Sequence, residues 1–141
     1  MTVYLVGDRK NPRGPDTGEA LDPRVPGSGR RLFEISGMPL VAYLAGFERV
    51  NASDDPKIPD GSVVVLLGVL AARWFLGWSY DLQPLHEFFY ERRCWVARIP
   101  HPSGRSLVYN NPVQLDLARR TLERALLIER SKDSVSSRVR F

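Results

Sequence analysis

The feature that most constrains the fold is a continuous apolar run from Val63 to Leu67, inside a segment that begins at Ser62 and ends at Gly68. Aliphatic residues without polar alternation are typical of a strand buried on both faces of a parallel sheet. Strand-like and helix-like patterns alternate along the rest of the chain. This alternation predicts an α/β domain with the run at its centre.

Three further strands are predicted from alternating, β-branched or aromatic patterns, and helices from apolar residues at helical spacing. The strands are Thr2 to Val6, Phe47 to Val50 and Arg92 to Ile99; the helices are Gly29 to Ser36 with Ser28 as its cap, a helix opened by Pro39, Val69 to Leu76, a short helix around Leu82 to Phe88, and Pro112 to Arg130. We therefore expect a three-layer α/β/α fold around a four-stranded, mostly parallel sheet, as a single domain over residues 1–130. Residues 131–141 are predicted to be a mobile basic and serine-rich tail.

Charge and residue usage narrow the class of protein. The chain of 141 residues carries a net charge of +4, and seventeen of its twenty basic residues are arginines. Arginine binds phosphate through a planar fork, which favours a nucleic-acid partner, although a soluble basic surface is the simpler alternative. The longest apolar run is about half of the ~20 residues that span a bilayer, and the N-terminus has no signal-peptide pattern. We expect a cytoplasmic protein without a membrane partner.

Polar and glycine positions follow each predicted strand. Asp8 and the loop that contains Asn11 follow the first strand, Asn51 the second and Gly68 the third. In open α/β sheets ligands bind beyond the carboxyl ends of the strands. The pattern therefore predicts that these residues gather at one edge of the sheet with the segment after the last strand.

That last segment runs from Arg98 to Ser106 and contains two prolines on either side of one histidine. Pro100 and Pro102 fix their own φ angles, so His101 is held on a stiff backbone. Ser103 and Gly104 allow a tight turn after it. A strand end that presents a rigid imidazole and a hydroxyl predicts a functional site; the alternative is a proline-rich connecting loop.

Two segments together resemble the uracil-DNA glycosylase superfamily: Val6 to Asp8 with Asn11-Pro12 near the start, and His101 to Ser106 near the end. The order of elements fits that superfamily from Tyr4 to about Leu127. The first motif departs from the family pattern, since Asn11-Pro12 stands two residues late. Cys94 is the single cysteine and cannot hold an iron–sulfur cluster alone. The resemblance is therefore to the compact branch of the superfamily that has no iron–sulfur cluster.

The resemblance implies a metal-free, monofunctional DNA glycosylase that needs no cofactor, acts as a monomer and hydrolyses the N-glycosidic bond of uracil or a modified pyrimidine after flipping the base. Either Asp8 or Asn11 would hold the attacking water. His101 would donate a hydrogen bond to the leaving base. The residues implied to contact DNA are Ser103, Gly104, Arg105 and Ser106, with Arg105 in the position of the side chain inserted into the duplex.

Base recognition is expected from Asn51, whose amide offers both a donor and an acceptor, with Phe33 or Leu32 on the face of the base. Each has a simpler alternative: Asn51 as a turn residue, and Phe33 and Leu32 as core residues of an amphipathic helix. Asp8 could equally cap a turn. Two other functions remain open, a catalytically inactive DNA-binding module on the same fold and an N-glycosidase of free nucleosides.

Overall fold

A computed structural model describes residues 3–8, 18–103 and 107–139, with the side chains of all of these except residues 79 and 132–139. Within these ranges the chain forms five strands and four α-helices. The strands are β1 (Val3–Gly7), β2 (Phe47–Asn51), β3 (Val63–Leu67), β4 (Phe89–Glu91) and β5 (Cys94–Ile99). The helices are α1 (Ser28–Ser36), α2 (Leu40–Gly46), α3 (Val69–Leu76) and α4 (Pro112–Val139), with 3-10 turns at Ala52–Asp54, Gly77–Leu82 and Val108–Asn110.

The strands form one sheet in the order β2-β1-β3-β5-β4. β1 pairs in parallel with β2 and β3, and β3 pairs in parallel with β5. Only β4, within the described ranges, pairs antiparallel, with β5. The predicted α/β class and mostly parallel sheet are confirmed. The predicted strand number was wrong, because the sheet has five strands rather than four.

The predicted short helix around Leu82 to Phe88 is wrong: a 3-10 turn ends at Leu82 and residues 83–88 form no helix. The strand that the prediction missed, β4, follows directly after this segment. β4 joins β5 through a two-residue turn at Arg92 and Arg93, with φ angles of 50° and 63°. Such a turn is usually signalled by Asn-Gly or Gly-Gly, because positive φ strains other residues. The strand was missed because two arginines carry no such signal and its ladder is only three residues long.

β3 lies at the centre of the sheet, and all five of its side chains are fully buried, as predicted. Its odd-numbered residues pack with α1, α2 and α4 on one face, in a cluster that includes Leu32 and Leu122. Its even-numbered residues pack with α3 on the other face, in a cluster that includes Ala72 and Phe75. The helices therefore cover both faces of the sheet.

Two predicted helix boundaries differ from the structure. The residue that precedes α1 is Gly27, with no side-chain cap, and Ser28 is the first helical residue instead of the cap. α4 does not end at Arg130 but continues to Val139, into the segment expected to be a mobile tail. Among the described helices, none combines the length and apolar character needed to cross a bilayer.

Candidate active site

The carboxyl ends of the four parallel strands meet at one edge of the sheet. β1 and β2 end in register, with Gly7 opposite Asn51, and β3 and β5 end with Leu67 opposite Ile99. Two backbone hydrogen bonds join the segments that leave this edge: Ser53 donates to the carbonyl of Asp8 at 3.0 Å, and Gly68 donates to that of Ile99 at 2.9 Å. The structure thus brings Asp8, Asn51 and His101 to the same edge.

His101 packs directly on the backbone of Gly68. A Cβ atom built on Gly68 would lie 2.8 Å from the Cβ of His101 and 3.3 Å from its ring Cδ2. Gly68 also has a φ of 88° and a ψ of −179°, a conformation that is essentially restricted to glycine. Glycine at this position therefore allows the close approach that fixes His101 at the edge of the sheet.

A second anchor holds the His101 loop from the other side. The hydroxyl of Tyr109 donates a 2.6 Å hydrogen bond to the carbonyl of Pro100. Tyr109 is buried in the 3-10 turn that precedes α4, and burial raises the pKa of its phenol, so it remains a donor at neutral pH. Asn111 then caps α4, since its Oδ1 accepts from the N–H of Val113 at 2.9 Å. The proline-flanked loop is thus held between two fixed elements.

We expect Tyr109→Phe to remove this anchor while leaving the core intact. Loss of this part-buried hydrogen bond leaves the carbonyl of Pro100 without its partner, at a cost of about 1 kcal/mol or more in the free energy of unfolding. Chemical denaturation measures this change. Tyr80→Phe is the matched control, because the Tyr80 hydroxyl accepts only a 3.3 Å bond from exposed Arg73. Equal losses in the two variants would contradict an anchoring role for Tyr109.

Burial and a nearby charge have opposite effects on the pKa of the His101 imidazole. Burial lowers its pKa below the ordinary histidine value, and the Asp8 carboxylate raises it by a smaller amount. The ring is therefore neutral at pH 7, and Asp8 lies within electrostatic reach of it. Among the described residues the ring makes no hydrogen bond of its own. A neutral, half-buried imidazole near a carboxylate can donate a hydrogen bond to a ligand that binds at this edge of the sheet.

Titration by NMR tests this electrostatic contact. The pKa of His101 is expected below 6.5, and Asp8→Asn should lower it further, because the variant removes the negative charge that favours the imidazolium. The pKa of His86 serves as an internal control in the same spectra. A pKa of His101 that does not change in Asp8→Asn would show that the two groups do not interact electrostatically.

Asn51 is almost fully buried at the end of β2, with 3% of its surface exposed. A Cβ atom built on Gly7 would lie 3.2 Å from the Asn51 Oδ1 and 3.1 Å from the Cδ1 of Leu21. The bare backbone of Gly7 thus leaves space for both side chains. The Asn51 amide makes no side-chain hydrogen bond among the described residues, so its donor and acceptor can serve a ligand.

Leu21 is a site residue that the sequence prediction missed. It adopts a φ of 50°, which strains a leucine, and its backbone lies against the start of α1, where a Cβ on Gly29 would collide with it. Its side chain reaches the same point over Gly7 as the Asn51 amide. No periodic pattern marks this position; the sequence signal would have been the two glycines that accommodate it.

The remaining predicted site residues occupy different places in the structure. Leu32 has no exposed surface and lies in the core, so it cannot contact a base, and the alternative of a core residue is correct. Phe33 is half-buried, with its ring centre 5.2 Å from that of Tyr43, a core contact that accounts for its position. Ser103 is half-buried at the end of the His101 loop. Asn11, Gly104, Arg105 and Ser106 lie outside the described residues.

The other histidine, His86, has a structural place away from this edge. Its Nδ1 lies 3.2 Å from the Oγ1 of Thr121 on α4, and its backbone N–H donates to the carbonyl of Arg98 at 3.0 Å. These contacts attach the segment before β4 to α4 and β5. His86 is therefore a suitable control for substitutions of His101.

Fold and site together define an α/β domain with a carboxylate, an amide and a neutral imidazole at the carboxyl edge of a parallel sheet. Comparison with protein-family models, with curated proteins and with solved structures gave no match. Functional inference therefore depends on the chemistry of the residues themselves.

Proposed function

We propose that this protein is a hydrolytic DNA glycosylase that cleaves the N-glycosidic bond of uracil or a modified pyrimidine flipped out of DNA. The observation that carries the proposal is the placement of Asp8, Asn51 and His101 at one edge of the sheet, where the Asp8 charge raises the pKa of a His101 ring that burial keeps neutral. The motif resemblance supports the same activity. The alternative is a DNA-binding module on this fold without chemistry.

The reaction needs two opposite charges to be stabilised at once. As the bond between the sugar and the base breaks, its electron pair leaves with the pyrimidine, and positive charge develops on the sugar. The Asp8 carboxylate stabilises that positive charge and accepts a proton from the attacking water, whose oxygen forms the new bond to the sugar. His101 donates a hydrogen bond to the developing anion on the pyrimidine oxygen; because its loop is already fixed, this costs little reorganisation.

In this proposal, Asn51 and Leu21 recognise the base. A side-chain amide pairs with the adjacent donor and acceptor on the edge of a pyrimidine. Leu21 offers an apolar contact beside it, and its strained backbone is consistent with a functional role. Apolar packing and a directed amide together are a common composition for a small-molecule pocket.

Exposed apolar side chains lie near this edge of the sheet. They favour a partner that offers apolar surface as well as phosphate groups. Val69 and Leu70 follow Gly68 directly and are 49% and 54% exposed. Leu107, which comes after the His101 loop in the sequence, is 75% exposed. A base and its sugar present apolar surface once the nucleotide leaves the stack, and contacts of this kind offset the cost of flipping, a few kcal/mol.

The test is a panel of single-stranded and duplex oligonucleotides, each with one uracil or modified pyrimidine, treated with alkali after incubation with the protein. Strand breaks at the modified position support the proposal. DNA binding without breaks on any member of the panel would instead support the binding module. Base release from free nucleosides without breaks in DNA would identify a nucleoside N-glycosidase.

A further inference from the structure

Within the described part of the chain, three buried polar atoms of Arg49 and Tyr43 have no hydrogen-bond partner. They are the Nε and Nη1 of Arg49 and the Oη of Tyr43. Tyr43 has no exposed surface, and only 11% of the Arg49 side chain is exposed. Each unsatisfied buried group costs about 1–3 kcal/mol, and a charged group costs more. A bound group that accepts hydrogen bonds would satisfy these atoms and remove that cost.

The two side chains share one region of the structure. Tyr43 lies on α2, with its ring centre 5.4 Å from that of Phe47 in β2, and Arg49 is the next residue on the same face of that strand. The Arg49 charge is close enough to favour ionisation of the Tyr43 hydroxyl. The Nη2 of Arg49 donates to Glu19 at 3.0 Å, and the other oxygen of Glu19 accepts from Arg24. One carboxylate thus leaves two Arg49 nitrogens unsatisfied.

All three orphan atoms can donate hydrogen bonds, and the two on Arg49 can only donate. Burial raises the pKa of Tyr43 more than Arg49 lowers it, so the hydroxyl remains protonated. The guanidinium is always charged and has no acceptor. The complementary ligand is a group that only accepts hydrogen bonds and carries negative charge. We propose that Arg49 and Tyr43 form a buried receptor for a compact oxyanion of the carboxylate or phosphate type.

The oxyanion has two possible sources. Arg49 and Asn51 lie two residues apart on one face of β2, so the oxyanion can be a carboxyl substituent on a pyrimidine bound at Asn51. It can also be a free anion that enters the same region. The first source depends on the proposed glycosylase function, whereas the receptor itself does not.

Thermal unfolding in sodium formate and sodium phosphate, against sodium chloride at equal ionic strength, tests the receptor. Both oxyanions are expected to raise the Tm of the wild-type protein by at least about 2 °C over chloride. Arg49→Met and Tyr43→Phe should lose half of this rise or more. Arg93→Met should keep all of it, because Arg93 is 78% exposed and its substitution controls for general effects of salt.

Tyr43→Phe also gives a test in chloride alone. Removing a buried hydroxyl that has no partner should leave the Tm unchanged or raise it. A lower Tm in chloride would show that the hydroxyl already has a partner and would overturn the proposal. An equal oxyanion effect in all four proteins, or no effect in any, would also overturn it.

Excision from oligonucleotides that contain 5-carboxyuracil or uracil identifies the source. A preference of about 10-fold or more for the carboxylated base that Arg49→Met removes would assign the oxyanion to the substrate. No preference, together with the thermal effect, would assign it to a free anion. If neither base is released, the glycosylase proposal is at fault, while the thermal result still decides the receptor.

Discussion

His101→Ala is expected to reduce base excision by about 100- to 1,000-fold, because it removes the fixed donor that stabilises charge on the leaving pyrimidine. Asp8→Asn should reduce it by about 100-fold or more, since an amide can orient water but cannot accept its proton. Single-turnover rates of strand-break formation after alkali measure both effects on the base found to be the best substrate.

The control for these variants is His86→Ala. His86 is the other histidine of the chain, and its contacts are with Thr121 and the backbone of Arg98. Its substitution should change excision by no more than a few-fold once the folded fraction is taken into account. Comparable losses in His86→Ala and His101→Ala would contradict a direct role for His101.

The second large effect is expected from Gly68→Ala, which alters no polar group. The added methyl would lie 2.8 Å from the Cβ of His101, so the His101 loop must shift. A displacement of about 1 Å in a catalytic group can cost on the order of 100-fold in rate. Positive φ adds strain of about 1–2 kcal/mol, which lowers the free energy of unfolding. Excision rates and denaturation curves of the same preparation separate the two effects.

Gly77→Ala separates backbone strain from displacement of His101. Gly77 also has a positive φ, 66°, with an extended ψ of −142°, but no atom lies within 4 Å of a Cβ built on it. We expect Gly77→Ala to lose stability and to keep the excision rate of the folded protein. If Gly68→Ala were as active as Gly77→Ala, the position of His101 would not matter for the reaction.

The sequence predicted the parts of the fold that depend on local patterns. β3 was recognisable because a central strand of a parallel sheet is apolar on both faces. β4 was not, because its turn is stabilised by tertiary contacts: Arg92 donates to the carbonyl of Phe75 at 2.8 Å and lies 5.7 Å from the centre of that ring. Nothing in a local pattern shows that an arginine at positive φ has such partners.

In the candidate site, too, some residues could be predicted from local sequence patterns and others could not. His101 could be predicted because two prolines and a following glycine mark a stiff loop in the sequence itself. Leu32 could not be placed, because helical spacing identifies apolar residues without distinguishing those that face the core from those that face a ligand. Leu21 and the pair of Arg49 and Tyr43 depend on contacts between elements distant in sequence, which only the folded structure brings together.

The most direct measurement of the central proposal is mass spectrometry of the small molecules released from DNA by the wild-type protein. The proposal predicts one free pyrimidine base, released in a one-to-one ratio with abasic sites, and release by His101→Ala that is slower by about 100-fold or more. A protein that binds the same oligonucleotides but releases no base from any of them would contradict it, and would leave Asp8, Asn51 and His101 as parts of a binding surface.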